Sequence, residues 1–262
     1  MTDNSLMRPQ VVAHRGASHE IAEHTLAAYV AALDAGADAL ECDVRLTMDG
    51  HLVCVHDRHL RRIGARGLVS EMTLGELQAI DFAAWKNGFW DGEDEQPDRD
   101  MRGVLTLHRL LRAVRDYDRH IEMAIETKHP TRYGGLTEGR LVDVLNDFGW
   151  AGPGSPVRVM SFSFTALQRV ERLAPGVPLV QLIDRAANWS LLRHTIGPEW
   201  WLGAGIDMLA AHPRLARRLA SKGRNLHVYT VNTEEQLKLC LDLGVKAVIT
   251  DRPGFMLELL GG

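Results

Sequence analysis

A closed barrel of eight parallel strands, a TIM (β/α)8 barrel with a small insertion after the second strand, is the fold this sequence predicts, and three observations predict it. Short apolar or β-branched runs alternate with helix-like periodicity, eight such runs can be counted, and the 262 residues suit a barrel that typically uses about 250 as one domain. Alternation of strand and helix favours a parallel sheet, and the count favours closure over an open doubly wound sheet. The predicted strands cover residues 11–13, 39–44, 121–126, 157–161, 178–182, 206–210, 226–231 and 247–250. Helical periodicity between them is clearest at 165–173, 213–222 and 234–243. Residues 9–262 are expected to form a single domain.

The rhythm breaks at roughly residues 57–103, which hold a predicted helix at 74–82 and the acidic run DGEDEQPDRD. This segment is read as an insertion over the barrel mouth, with the acidic run a solvated loop.

Composition narrows the function classes. The net charge of −4, without a Lys/Arg block, leaves no footprint for a nucleic acid or an anionic membrane surface, so a small polar substrate is expected. Cys42, Cys54 and Cys240 form an odd set without CxxC spacing, which argues against a disulfide framework or a zinc site and fits a reducing cytoplasm. The opening MTDNSLMRPQ lacks a basic segment followed by an apolar one, and no apolar stretch reaches the roughly 18 residues of a membrane span. A cytoplasmic protein with no integral membrane segment is expected.

Chemically capable side chains follow several of the apolar runs: VVAHRG at 11–16, ALECDVRLTMDG at 39–50, VCVHD at 53–57 and IETKH at 125–129. Such placement is where a parallel barrel builds its active site. Side chains two apart in a strand share a face, so Glu41 and Asp43 project together while Cys42 turns away. Two adjacent carboxylates repel unless a cation sits between them, and Glu126 from the next strand offers a third oxygen, a donor set suited to calcium or magnesium. The bland alternative is a pair of acids salt-bridged to Arg45 or Lys128.

His14 and His56 end neighbouring apolar runs and make an acid and base pair for a phosphate ester. The other histidines are read as structural. Arg15 offers a planar guanidinium for two phosphate oxygens, its alternative being a structural salt bridge, and Lys128 shares a face with Glu126. Asp57 either orients His56 or caps the following turn, with the cap slightly favoured. Tyr229, Asn232 and Asp251 stand at the end of the barrel where substrate contact is expected, against readings as a strand aromatic, a turn residue and a helix cap.

In combined order and spacing, HRG, ECDV with TMDG and HD behind it, IETK, VYTVN and the terminal TDRPG resemble the glycerophosphodiester phosphodiesterase family from Val11 to Gly254. The resemblance implies a TIM barrel with an insertion after the second strand. It also implies hydrolysis of glycerophosphodiesters to an alcohol and glycerol 3-phosphate with a divalent cation, Ca2+ or Mg2+. It assigns His14 and His56 as acid and base, Glu41, Asp43 and Glu126 as metal ligands, and Arg15 and Lys128 as phosphate holders. Two positions depart from the family pattern: His24 where Asn is common, and Tyr229 where Trp is common, the latter a change in the shape of the substrate pocket. Two rivals share the same residues: a lysophospholipase D-type phosphodiesterase on lysophospholipids, and a catalytically silent barrel that binds phosphorylated ligands. Headgroup, metal identity, the roles of the two histidines, the nucleophile and the oligomeric state stay open.

Overall fold

In the computed structural model of the chain, residues 8–87, 98–221 and 225–261 are described. Nine strands form one sheet: β1 (Gln10–His14), β2 (Ala39–Leu46), β3 (Leu52–Cys54), β4 (Glu122–Thr127), β5 (Val157–Ser161), β6 (Leu179–Ile183), β7 (Trp201–Gly205), β8 (Leu226–Tyr229) and β9 (Ala247–Thr250). Their order is β1-β9-β8-β7-β6-β5-β4-β2-β3, and β1 also pairs with β2. That last pairing closes eight parallel strands into a barrel. β3 lies outside the circle as an antiparallel partner of β2.

Alternation along each strand sorts the side chains into two cores. Val12, Ala39, Ala124, Met160, Val180, Leu182, Ala247 and Ile249 pack inside the barrel. Their neighbours in sequence, including Val11, Leu40, Ile125, Val159 and Val248, pack outward against the helices. Small residues at Ala39, Ala124 and Ala247 leave room for Met160 and Leu182 across the interior, which is how a narrow barrel fills without voids.

Polar starts fix the helices behind the strands. Thr25, Thr106 and Ser163 each accept a hydrogen bond from a backbone N–H of the first turn. Thr233 does the same in a reciprocal box with Gln236.

The strand predicted at 206–210 is a correction. That stretch forms a helix, Ile206–Ala211, and the barrel strand is Trp201–Gly205, one step earlier. Gly203 shows why: a Cβ there would lie 2.4 Å from Leu182 Cδ2. A glycine-rich run carries a weak strand signal, yet inside the barrel the close approach of Leu182 demands one. The predicted helix at 74–82 is shorter, Leu74–Gln78.

At the N-terminal end of the barrel, Arg158 is buried and donates to Glu122 Oε2 and Gln10 Oε1, both at 2.7 Å. Gln10 in turn donates to Glu122 at 3.0 Å. Trp201 and buried His227 complete this polar floor, with ring centres 5.2 Å apart.

The connection after β3 carries 3-10 turns at Leu60–Ile63 and Val69–Glu71 and helices Ala84–Asn87 and Arg99–Arg102. It has its own apolar cluster, with Leu60, Val69, Leu77, Phe82 and Val104 packed on Val53 and Val55. Most of the predicted acidic loop, residues 91–97, lies outside the described residues.

Candidate active site

Register brings the predicted acids together at the C-terminal ends of the strands. His14 pairs with Glu41, and Asp43 pairs with Glu126. One carboxylate oxygen from each of Glu41, Asp43 and Glu126 lies within 4.8 Å of the others, and all three residues are buried.

Two cations stand against them. Lys128 Nζ is 2.9 Å from Asp43 Oδ1 and 2.7 Å from Glu126 Oε1. Arg15 Nε is 2.9 Å from Asp43 Oδ2, and its terminal nitrogen contacts Glu23 at 3.1 Å. The salt bridge to Lys128 that served as the bland reading is thus present. It does not satisfy the cluster, because the ion contacts leave Asp43 Oδ1 and Arg15 Nε buried without a well-directed hydrogen bond.

The electrostatics follow from crowding. Burial and the Asp43 charge push Glu126 up to about 7. Burial and Asp43 also raise Glu41 well above the carboxylate range. Burial would raise Asp43 as well, but Arg15, Lys128 and His24 outweigh it and hold Asp43 well below its ordinary value. Three buried carboxylates whose oxygens converge within 4.8 Å are a donor set that fits a hard divalent cation.

Each predicted catalytic histidine is backed by an aspartate. His14 Nδ1 is 2.6 Å from Asp251 Oδ1. Asp251 is itself fixed by Ser18 Oγ at 3.0 Å and Asn232 Nδ2 at 2.7 Å. Burial alone would raise the Asp251 carboxyl, but the bonds from His14, Asn232 and Ser18 bring it down to about 2. His56 Nδ1 is 2.8 Å from Asp57 Oδ1, so Asp57 orients the histidine, against the favoured reading as a turn cap. Burial, with Arg15 and Lys128 adding to it against the pull of Asp43, lowers His56 to about 4. Holding Nδ1 in each ring frees Nε2 for chemistry.

His14, Arg15, Glu41, His56, Glu126 and Lys128 line one cavity of about 170 Å³. Its far wall is apolar, from Met160, Phe162, Leu182, Tyr229 and Ile249. Tyr229 presents its ring there, because its hydroxyl donates to the Ile183 carbonyl at 2.8 Å. His56 reaches this cavity from the apolar run in the second connection, which forms the hairpin strand β3 outside the eight barrel strands.

Sequence reasoning missed the part played by three residues. Asp251 and Asn232 were placed at the correct end of the barrel but read as substrate contacts, caps or turns, whereas they hold His14. His24 Nε2 sits 3.0 Å from Asp43 Oδ2 and Nδ1 sits 2.9 Å from the Tyr29 hydroxyl, which donates to the Glu41 carbonyl at 3.2 Å. Arg15 and His24, at φ 59° and 62°, both adopt the left-handed backbone region beside the acid cluster. Strain of this kind gathers where side chains must be aimed. The signal available in the sequence was His24 itself, a residue type enriched in that region and standing where Asn is common.

A parallel barrel with buried carboxylates and two oriented histidines at its C-terminal rim defines a class of enzyme site rather than a structural module. The chain matches the model of the glycerophosphoryl diester phosphodiesterase family over residues 14–255, and it belongs to that family. A Mycobacterium tuberculosis protein described as "probable glycerophosphodiester phosphodiesterase 1" is 43% identical over 251 residues, covering 94% of this chain and 90% of its own. A Bacillus subtilis glycerophosphodiester phosphodiesterase is 34% identical over 249 residues, covering 92% and 83%. Among solved structures, an Oleispira antarctica phosphodiesterase in complex with the product sn-glycerol-3-phosphate superposes with a TM-score of 0.81 at 25% identity, covering 97% of this chain and 98% of that one. Among the described residues no helix is long and apolar enough to cross a membrane.

Proposed function

We propose that this chain hydrolyses glycerophosphodiesters to an alcohol and glycerol 3-phosphate. The observation that carries the reading is the pairing of two aspartate-backed histidines with three buried carboxylates around one cavity. Binding alone requires no proton-transfer pair, which counts against a silent barrel.

Glu41, Asp43 and Glu126 would hold a divalent cation, calcium or magnesium, where their oxygens converge. Bound there, the cation supplies positive charge opposite the phosphoryl oxygens as negative charge builds on them. Arg15 and Lys128 add fixed positive charge to the same wall, Lys128 by turning one of its protons toward the phosphate.

His56 is neutral at neutral pH and accepts the proton of the attacking oxygen at Nε2. As the bond from phosphorus to the alcohol oxygen breaks, His14 delivers a proton from Nε2 to the departing oxygen, with Asp251 holding Nδ1–H throughout. The apolar wall at Phe162 and Tyr229 packs the carbon skeleton of the substrate and keeps bulk water from that side.

Release of glycerol 3-phosphate from glycerophosphocholine by chelator-treated protein tests this, with calcium or magnesium restored and a His14→Ala, His56→Ala double variant as control. Cation-dependent release by the native chain alone is expected. Turnover of lysophosphatidylcholine with none of glycerophosphocholine would replace the substrate class, and equal release by the double variant would remove the histidines from the mechanism.

A further inference from the structure

Beside the reaction cavity lies a second one of about 260 Å³, which the reaction as described does not use. Lys128 belongs to the walls of both, so the two cavities are neighbours. The second cavity is walled by Arg45, Arg58 and Arg132, with Glu71 its one carboxylate.

These arginines are not spent on neighbours. Arg45 is half-buried and donates from Nε to the His56 carbonyl at 2.8 Å, and among the described residues no carboxylate oxygen lies within 4 Å of its guanidinium. Burial lowers the Arg45 pKa against the charges of Asp43, Asp57 and Glu126, with a smaller lowering from Arg58. Arg58 has no side-chain partner among the described residues. Arg132 reaches Glu71 at 3.2 Å through an exposed pair of the kind that contributes little. Thr137, in the first turn of the helix Leu136–Asp147, adds a hydroxyl to the wall at a helix start that no side chain caps.

A half-buried guanidinium with a neutral acceptor, in one cavity wall with the exposed Arg58 and Arg132, is placed to share an anion with them. In the proposed reaction the first cavity takes the phosphodiester and one carbon skeleton. What extends past Lys128 is then the alcohol on the other side of the phosphorus.

We propose that this arginine-walled cavity is a subsite for an anionic group, phosphate or carboxylate, carried on the leaving alcohol of the substrate. The preferred diester is one whose alcohol is itself an acid, and the enzyme follows reactions that yield such doubly anionic diesters. The inference rests on the phosphodiesterase reading above and adds the class of headgroup to it.

Steady-state kcat/KM on the whole, cation-loaded protein tests it with three substrates of matched size, followed by loss of the diester phosphorus resonance. These are glycerophosphoglycerol, its terminal phosphomonoester, and the glycerophosphodiester of glyceric acid. One or both anionic substrates are expected to exceed the neutral one by about tenfold or more, mainly through KM, and the better arm names the anion. In an Arg58→Ala, Arg132→Ala variant the preference should fall toward unity, while Arg58→Lys retains most of it. Equal kcat/KM for all three substrates, or a preference untouched in the double alanine variant, overturns the subsite. Absence of turnover with every substrate overturns the phosphodiesterase reading instead, so the two failures look different. Circular dichroism of the double variant guards against loss of fold, and should it unfold, suppression of the preference by 0.5 M salt in the native protein is the second readout, with persistence at that salt counting against the proposal.

Discussion

The two ends of this barrel handle buried charge in opposite ways. At the floor one guanidinium meets one carboxylate: Arg158 bonds Glu122 and Gln10, and Gln10 bonds Glu122, while Arg158 Nε stays buried without a hydrogen bond. At the rim three carboxylates, Glu41, Asp43 and Glu126, face two cations, Lys128 and Arg15, and Glu41 and Glu126 line an open cavity. A cluster balanced in charge contributes to folding. An unbalanced one has its satisfaction deferred to a ligand, and the difference separates the structural end of the barrel from the chemical end more sharply than residue type does.

Mutation should expose that division. His14→Ala and His56→Ala should each lower turnover by a factor on the order of 100 or more with the unfolding midpoint little changed, as read by kinetics and urea denaturation. Normal turnover in both would make the rim as inert as the floor. Asp251→Asn should cost on the order of 10- to 100-fold, because His14 keeps its place but loses the charge behind it. Arg158→Met reverses the pattern: about 2–3 kcal/mol of stability lost, with kcat within about twofold of the native value. A large loss of turnover there, in protein still folded, would show the two ends to be coupled.

The smallest effect is a pH profile. Burial leaves His56 near 4, below its ordinary 6.5. A lowered pKa means the neutral, proton-accepting form persists as pH falls, so at saturating cation the acid side of kcat/KM should drop near pH 4. A base of pKa 6.5 would already be about tenfold down at pH 5.5. A measured limb near 6.5 would withdraw His56 from the role of base.

Much of this was legible in the sequence, for reasons that are local. Period-two alternation placed Glu41 and Asp43 on one face, and the parallel register then brought Glu126 beside Asp43. Seven of the eight barrel strands announced themselves through β-branched or apolar runs. The exception, Trp201–Gly205, is shaped by Leu182 reaching over Gly203, a constraint set by a different strand and absent from the local pattern. Asp57 and Asp251 were ambiguous for a related reason. A carboxylate just after an apolar run serves equally to cap a turn or to brace an imidazole, and only the partner's position in space decides. The arginine cavity was invisible for the same cause, since Arg45, Arg58 and Arg132 come from three separate stretches.

The two histidines differ in how they are carried. His14 ends a strand paired along its length on both sides within the closed barrel, whereas His56 follows a three-residue strand paired with β2 on one side, held on the other by the bridge from Val53 to Thr106 and the Cys54 N–H bond to the Leu105 carbonyl, and leaning on the separate apolar cluster of the insertion. Segments with their own small core and few shared strand bonds open before the structure they sit on. Warming should therefore part His56 from His14 while the barrel still stands, so that activity disappears several degrees below the loss of secondary structure seen by circular dichroism. Heat tolerance in this enzyme is then a property of how firmly the insertion clasps the rim, and packing improved around Leu60, Leu77 and Phe82 would extend the working range without touching the barrel.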